Sequence, residues 1–198
     1  MRVLALNCGS SSIKSALIDT ASGARLLDVR ILELGGKDCH MLVDGREQKL
    51  AADLHPDLAL QRIIGEITGR ASAIGAAEAV VHRVVHGGAQ FTQPTKLDAA
   101  TLKALTALNS LAPLHNPPAL AAIAEAQSLL PDLPHIAVFD TAFHSTLPAR
   151  AREYALPAAL TQQLQIRRYG FHGTSHAHVM NAAASYLRQE PQQLRIIS

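Results

Sequence analysis

An α/β layer structure with a mixed sheet is the fold class this 198-residue sequence predicts, on three observations. The chain opens with apolar runs at 3–6, 13–18 and 24–34, separated by small polar residues, which read as a three-stranded meander. From residue 57 onward, stretches with helical spacing alternate with short apolar strands, the pattern of helices layered on a sheet. Polar and charged residues follow directly on those strands, at the carboxyl ends where α/β sheets hold ligands.

Taken in order, Val3 to Leu6 and Ile13 to Ile18 flank Cys8-Gly9-Ser10-Ser11-Ser12, a strand, tight loop and strand. Residues 24–34 make the third strand, and Gly35-Gly36-Lys37-Asp38 breaks it. His40 to Val43 and Gln48 to Ala51 flank Asp44-Gly45, a hairpin signal. Leu58, Leu60, Ile63, Ile64 and Ile67 repeat at helical spacing after His55-Pro56-Asp57, predicting a helix over 57–69. Ala79 to Val84 is a buried strand running into His86-Gly87-Gly88, and Leu97 to Asn109 is a second helix. A third helix, ending before Pro131, starts at Asn116-Pro117-Pro118, where Asn116 is suited to cap and Pro117 to the first helical position. His135 to Asp140 returns to strand. Beyond Pro148 come a short helix over 157–164, a loop over 167–173, an Ala-rich helix over 175–188 and a strand at Leu194 to Ile197. The expected division is a domain over 1–146 and the opening segment of a second over 147–198, whose sheet is expected to continue in further sequence.

With 48% hydrophobic residues the chain buries a substantial core. A net charge of +2, 4% aromatic residues and no basic run longer than Arg167-Arg168 argue against a nucleic-acid surface. Cys8 and Cys39 form no C-x-x-C pair, and the apolar stretch at the N-terminus is too short for a signal peptide or membrane span. A reduced, soluble, cytoplasmic protein with no membrane partner is the expectation.

Several constellations carry chemistry. The loop at 8–12 suits an oxyanion: Gly9 permits close backbone approach, the serines supply hydroxyls, and Lys14 adds a cation. It is not a P-loop, because the second glycine is missing and a strand follows; an ordinary Ser-rich hairpin turn explains the same residues. Arg83 and Val85 share a face of their strand, a bidentate cation beside a shallow apolar wall, as a small carboxylic acid requires. Pairing of Arg83 with a structural acid is the alternative. Leu114-His115-Asn116-Pro117 stands at a helix N-terminus, which favours anions, while His115 taken alone also fits a packing or cap-side role. Asp140 follows an apolar strand as a catalytic acid does, or as a residue that starts a turn does. His172 and His176 have helical metal-site spacing, but Gly173 replaces the glutamate of the zincin pattern and no carboxylate or cysteine accompanies them.

Five segments together carry a resemblance. LNCGSSSIK, HRVVHGG, LAPLHNPP, FDTAFH and YGFHGTSH resemble, in order and spacing, the N-terminal half of the acetate kinase family, across essentially the whole chain. The resemblance implies a ribonuclease-H-like fold, shared with actin, hexokinase and the heat-shock ATPase, in which two such domains close on a nucleotide. It implies transfer of a phosphoryl group from ATP to acetate, reversibly, with magnesium, giving acetyl phosphate and ADP, and a homodimer for the full-length protein. By the same resemblance Asn7 is the magnesium-associated position, Lys14 with Ser10 and Ser12 the phosphate-side contacts, and Arg83 the carboxylate ligand. Val85, Leu114 and Phe171 line the methyl pocket with His115 on the substrate side, His172 stabilises the transferring phosphoryl group, and Asp140 is catalytic. Such side chains match a reaction that needs positioning and cancellation of spreading negative charge.

A carboxylic acid with a pKa of about 4.3 is already ionised at neutral pH and has no proton for Asp140 to remove. The expected role of Asp140 is therefore to orient Arg83 or a magnesium-bound water. Members of the family run to roughly twice this length, and the other half is expected to carry the adenine pocket, a second arginine, a magnesium-binding glutamate and a further helix. The expectation for this chain alone is an inactive fragment. Propionate kinase of the same family is one alternative, and a non-catalytic remnant that binds an anion or a partner is another.

Overall fold

The computed structural model describes residues 1–198. Strands β1 (Arg2–Cys8), β2 (Ile13–Asp19) and β3 (Arg25–Leu32) form the antiparallel meander, with Asn7 opposite Lys14 and Lys14 opposite Arg30. The third strand stops at Leu32 because Glu33 turns the backbone left-handed, at φ 55°. Strands β4 (His40–Val43) and β5 (Arg46–Lys49) extend it. Their two-residue turn has positive φ at both Asp44 (48°) and Gly45 (82°), the backbone that Asp-Gly accommodates in a tight hairpin.

Helix α1 (Pro56–Gly69) and the single turn α2 (Ala71–Ile74) return the chain to β6 (Ala79–Val84), which lies parallel to β1. A two-residue edge strand β7 (Thr95–Lys96), helix α3 (Ala99–Thr106), helix α4 (Asn116–Leu129) and strand β8 (His135–Phe139) complete an eight-stranded mixed sheet in the order β5-β4-β3-β2-β1-β6-β8-β7. Beyond it come α5 (Ala149–Arg152), α6 (Ala158–Leu164) and α7 (Gly173–Leu187).

The chain packs as two compact units: Met1–Val84 with Pro94–Val138, and Val85–Gln93 with Phe139–Ser198. In the first, α1 and α4 lie against one another and against the sheet. Ile63 and Leu60 of α1 and Ile123 of α4 are buried with Leu4, Leu17, Leu27, Val29 and Val80 of the strands. Neighbouring strand residues such as Ala5, Asn7, Asp28 and Arg83 alternate with these and stay half-buried, so chemistry-bearing side chains occupy the opposite sheet face. In the second unit, α7 packs on the turn at Ala142–Thr146, and Phe91 stacks on Phe139 with ring centroids 5.3 Å apart.

Several details differ from the sequence reading. The hairpin strand expected at Gln48 to Ala51 lies at Arg46–Lys49, because the turn takes only Asp44 and Gly45. Leu194 to Ile197 is not a strand, since it joins no ladder, and a strand needs a partner for its backbone groups. Asn116 does not cap α4: His115 holds the cap position without a side-chain bond, and Asn116 is the fully buried first helical residue. The helix expected over 97–109 is shorter, because Asp98 caps it by accepting from Thr101 N at 2.8 Å and the chain turns at Asn109–Leu111 in a separate short helix.

Candidate functional site

In the first unit, β1, β2 and β6 place Asn7, Lys14 and Arg83 on adjoining strands of the half-exposed sheet face. Arg83 Nη1 donates to Asn7 Oδ1 at 3.1 Å, fixing the guanidinium beside β1. With Lys14, Arg25, Asp28 and Arg30 they line a depression of about 420 Å³. Asp28 pairs with Arg30 and Arg25, and the Arg30 hydrogen bond is the chief reason its carboxyl sits below the usual carboxylate range. The depression thus carries four cations against one strongly acidic carboxylate, an electropositive surface suited to anions.

The β1–β2 loop is a tight tip, closed by Gly9 N donating to Ser12 O at 2.9 Å and tied to the 33–36 turn by Leu34 N donating to Ser11 O at 2.9 Å. Ser10 is exposed at this tip and Ser12 half-buried. Burial pushes the Cys8 thiol up to about 12, so it remains protonated and chemically quiet next to the loop. Leu114 and His115 stand exposed at the N-terminus of α4.

Magnesium, which the family resemblance implies, prefers oxygen ligands, and no cluster of three or more His, Cys, Asp or Glu side chains forms a metal cage here. Asn7 Oδ1 has a second lone pair besides the one facing Arg83. One such oxygen fits an ion held mainly by phosphates and water.

The second unit gathers Val85, Asp140, Phe171 and His172. Asp140 is fully buried at the end of β8. Its carbonyl accepts from Gly173 N at 2.9 Å, and Oδ1 accepts from Thr174 Oγ1 at 3.3 Å. A side chain at Gly173 would collide with the Asp140 carbonyl and with Phe143 Cβ, so glycine is required for the first turn of α7 to come this close. His172 sits at the cap of α7 in a left-handed conformation, φ 55°, with a side chain 73% exposed and Nδ1 3.9 Å from Asp140 Oδ2. That geometry presents an imidazole to solvent above a buried carboxylate. Phe171 is 44% exposed, and its carbonyl accepts from His144 Nε2 at 2.9 Å.

Sequence reading did not single out Thr174, Thr141 or His86. Thr141 Oγ1 accepts from Gly87 N at 3.1 Å, and buried His86 packs on Tyr169 and Phe171. All three lie inside the segments that carry the resemblance, His86 in HRVVHGG, Thr141 in FDTAFH and Thr174 in YGFHGTSH, but the ring partners of His86 and the Gly87 partner of Thr141 are at least 54 residues away, so no local motif encodes these contacts.

The acetokinase family profile matches residues 2–198. The chain is 45% identical to the acetate kinase of Streptomyces coelicolor over 99% of its own length and 50% of that protein's. It is 43% identical to the acetate kinase of Thermotoga maritima, over 100% and 51% respectively. Among solved structures, a propionate kinase from Francisella tularensis superposes with a TM-score of 0.87 at 37% identity, covering 96% of this chain and 50% of that one. The acetate kinase of Porphyromonas gingivalis gives 0.81 at 32% identity, with the same coverage. The chain thus spans about half the length of the relatives it matches. The α/β class with a mixed sheet expected from the sequence is the one observed, and solved acetate and propionate kinases superpose on it. By profile, identity and fold together, the chain belongs to the acetokinase family.

Proposed function

We propose that this chain supplies the carboxylate-binding and phosphate-side residues of a phosphotransferase that makes acetyl phosphate from acetate and ATP. The observation that carries the reading is Arg83 held by Asn7 at 3.1 Å in a depression that also contains Lys14. Arg83 binds the acetate carboxylate by two parallel charge-assisted hydrogen bonds. Lys14, Ser10 and Ser12 contact phosphate oxygens, and His172 offsets charge on the transferring group. Val85, Leu114 and Phe171 bound the methyl group, with His115 nearby on the substrate side. Asn7 would hold magnesium, which would supply positive charge against the nucleotide phosphates.

Asp140 does not act as a base toward an acid that is already ionised. Its backbone and carboxylate bonds to Gly173 and Thr174 support an orienting role, holding the start of α7 and hence His172. The domain division proposed is 1–146 and 147–198, with a homodimer as the assembled form in the cytoplasm. Acetyl phosphate trapped as its hydroxamate tests the reading: the chain combined with the second half of an acetokinase relative, ATP, magnesium and acetate yields product at a rate that Arg83→Ala lowers roughly a hundredfold at low acetate. Product unaffected by that substitution overturns it.

A propionate-phosphorylating enzyme is the second reading, supported by the F. tularensis neighbour. One methylene separates the two acids, worth about 1–3 kcal/mol in an apolar pocket. The half-buried Val85, larger than alanine, supports the shorter acid.

A further inference from the structure

We infer that His86 is a positioning residue that fixes the aromatic wall made by Phe171 and Tyr169, and through it the size of acid the pocket accepts. The inference rests on the proposal that Phe171 lines the acyl pocket.

His86 is 2% exposed. Gly88 N donates to its Nδ1 at 2.9 Å, so that nitrogen is unprotonated and the neutral ring carries its hydrogen on Nε2. Burial lowers its tendency to take a second proton. The ring therefore has one tautomer and one orientation. Its neighbours hold it there: Gly87 N donates to Thr141 Oγ1 at 3.1 Å, and a Cβ on Gly87 would lie 2.6 Å from Phe91 O and 2.9 Å from the Phe139 ring. The backbone at Gly87 is thus bonded to Thr141 and closely packed by Phe91 and Phe139.

From this fixed position His86 meets Tyr169 edge-to-face, centroids 4.5 Å apart at 68°, and Phe171 likewise, 5.6 Å apart at 69°. These are the separations and angles that aromatic quadrupoles favour. Arg167 lies 5.0 Å over the Tyr169 ring. Phe171 is different: 44% of it is exposed, and its backbone is anchored through the carbonyl to His144. Its side-chain torsions are what the His86 edge restrains. A half-exposed wall set by one buried ring discriminates between acids only while that ring is present.

The test uses the 198-residue chain and NMR of the aromatic rings, with acetate and propionate as probes. The unmutated chain is expected to give cross-peaks between the His86 and Phe171 rings. His86→Asn keeps an acceptor for Gly88 N but removes the ring; its Phe171 ring resonances are expected to move and the ratio of acetate to propionate affinity to fall about threefold. His86→Phe restores the ring edge and is expected to return both toward the unmutated values, a rescue that loss of the Gly88 bond alone would not give. Absence of His86–Phe171 cross-peaks in the unmutated chain overturns the inference whatever the variants do. So do unchanged Phe171 resonances in folded His86→Asn. If neither acid perturbs the unmutated chain, the functional proposal fails, and the ring resonances alone decide the role of His86.

Discussion

Arg83 shows how much one residue can carry. Its guanidinium is planar and always charged, and Asn7 orients it, so a carboxylate bound there exchanges water for directed donors. Arg83→Ala removes the bidentate partner of that carboxylate; the expected loss is about 3 kcal/mol, roughly a hundredfold in kcat/KM for acetate. Near-normal turnover at low acetate, assayed with the second half supplied, refutes the assignment. Val85 works by volume instead. Val85→Ala is expected to bring propionate and acetate closer in kcat/KM, by up to about tenfold in their ratio. Equal kcat/KM for the two acids before mutation counts against the acetate reading.

Elements hold these residues in place, and α1 shows by what means. Ile63 is fully buried beneath the sheet, whereas Leu58 on the same helix is 52% exposed. Ile63→Ala is expected to cost about 2–5 kcal/mol and Leu58→Ala under about 0.5 kcal/mol, measured by denaturant unfolding. Strands β6 and β8 add a pH dependence. His82 Nε2 and His135 Nδ1 lie 2.9 Å apart, the rings stack at 5.2 Å, and His135 Nε2 bonds to Leu130 O at 3.1 Å. Burial first, and the His135 charge second, lower the His82 pKa from 6.5 to about 3. Between those values the unfolded chain holds more protons than the folded one, so stability is complete above pH 6.5 and falls toward pH 3. The slope is about 1.4 kcal/mol per pH unit, or about 2 kcal/mol at pH 5. His82→Gln is expected to remove that part of the loss between pH 7 and 5, and an unchanged drop refutes it. Periodicity made α1, α4 and β6 readable, because each buries one face or a whole short run. The edge strand Thr95–Lys96 has only two residues, and its existence depends on β8, 40 residues away. Leu194 to Ile197 has strand composition without a ladder to join. The His82–His135 and His86–Phe171 contacts were beyond sequence reading for the same reason: they arise from topology.

At the scale of the whole molecule, the question is how much chemistry a chain of half the family's length performs. Its first unit carries a formed sheet with Asn7, Lys14 and Arg83 on one face, and its second carries Asp140 and His172 at the start of α7. The residues proposed for carboxylate and phosphate contacts therefore all belong to one polypeptide. The relatives named acetate kinase are about twice as long, and phosphoryl transfer depends on every charge around the transferring group being in place: a single arginine supplied from elsewhere is worth about 10³–10⁵ in rate. The 198-residue chain is accordingly expected to bind acetate and inorganic phosphate weakly, and to form acetyl phosphate at least ~10³-fold more slowly than a full-length relative. Hydroxamate trapping with ATP, magnesium and acetate measures this directly, beside a sample supplemented with the second half of a relative. Supplementation is expected to raise the rate, and Asp140→Ala to lower it by removing the buried carboxylate beside His172 and its bond to Thr174, while the Gly173 bond to the residue-140 carbonyl stays. Acetate-dependent product from the chain alone, at a rate approaching the full-length control and lost in Asp140→Ala, would mean that the residues described here are sufficient and that the remaining half of the family's length serves another purpose.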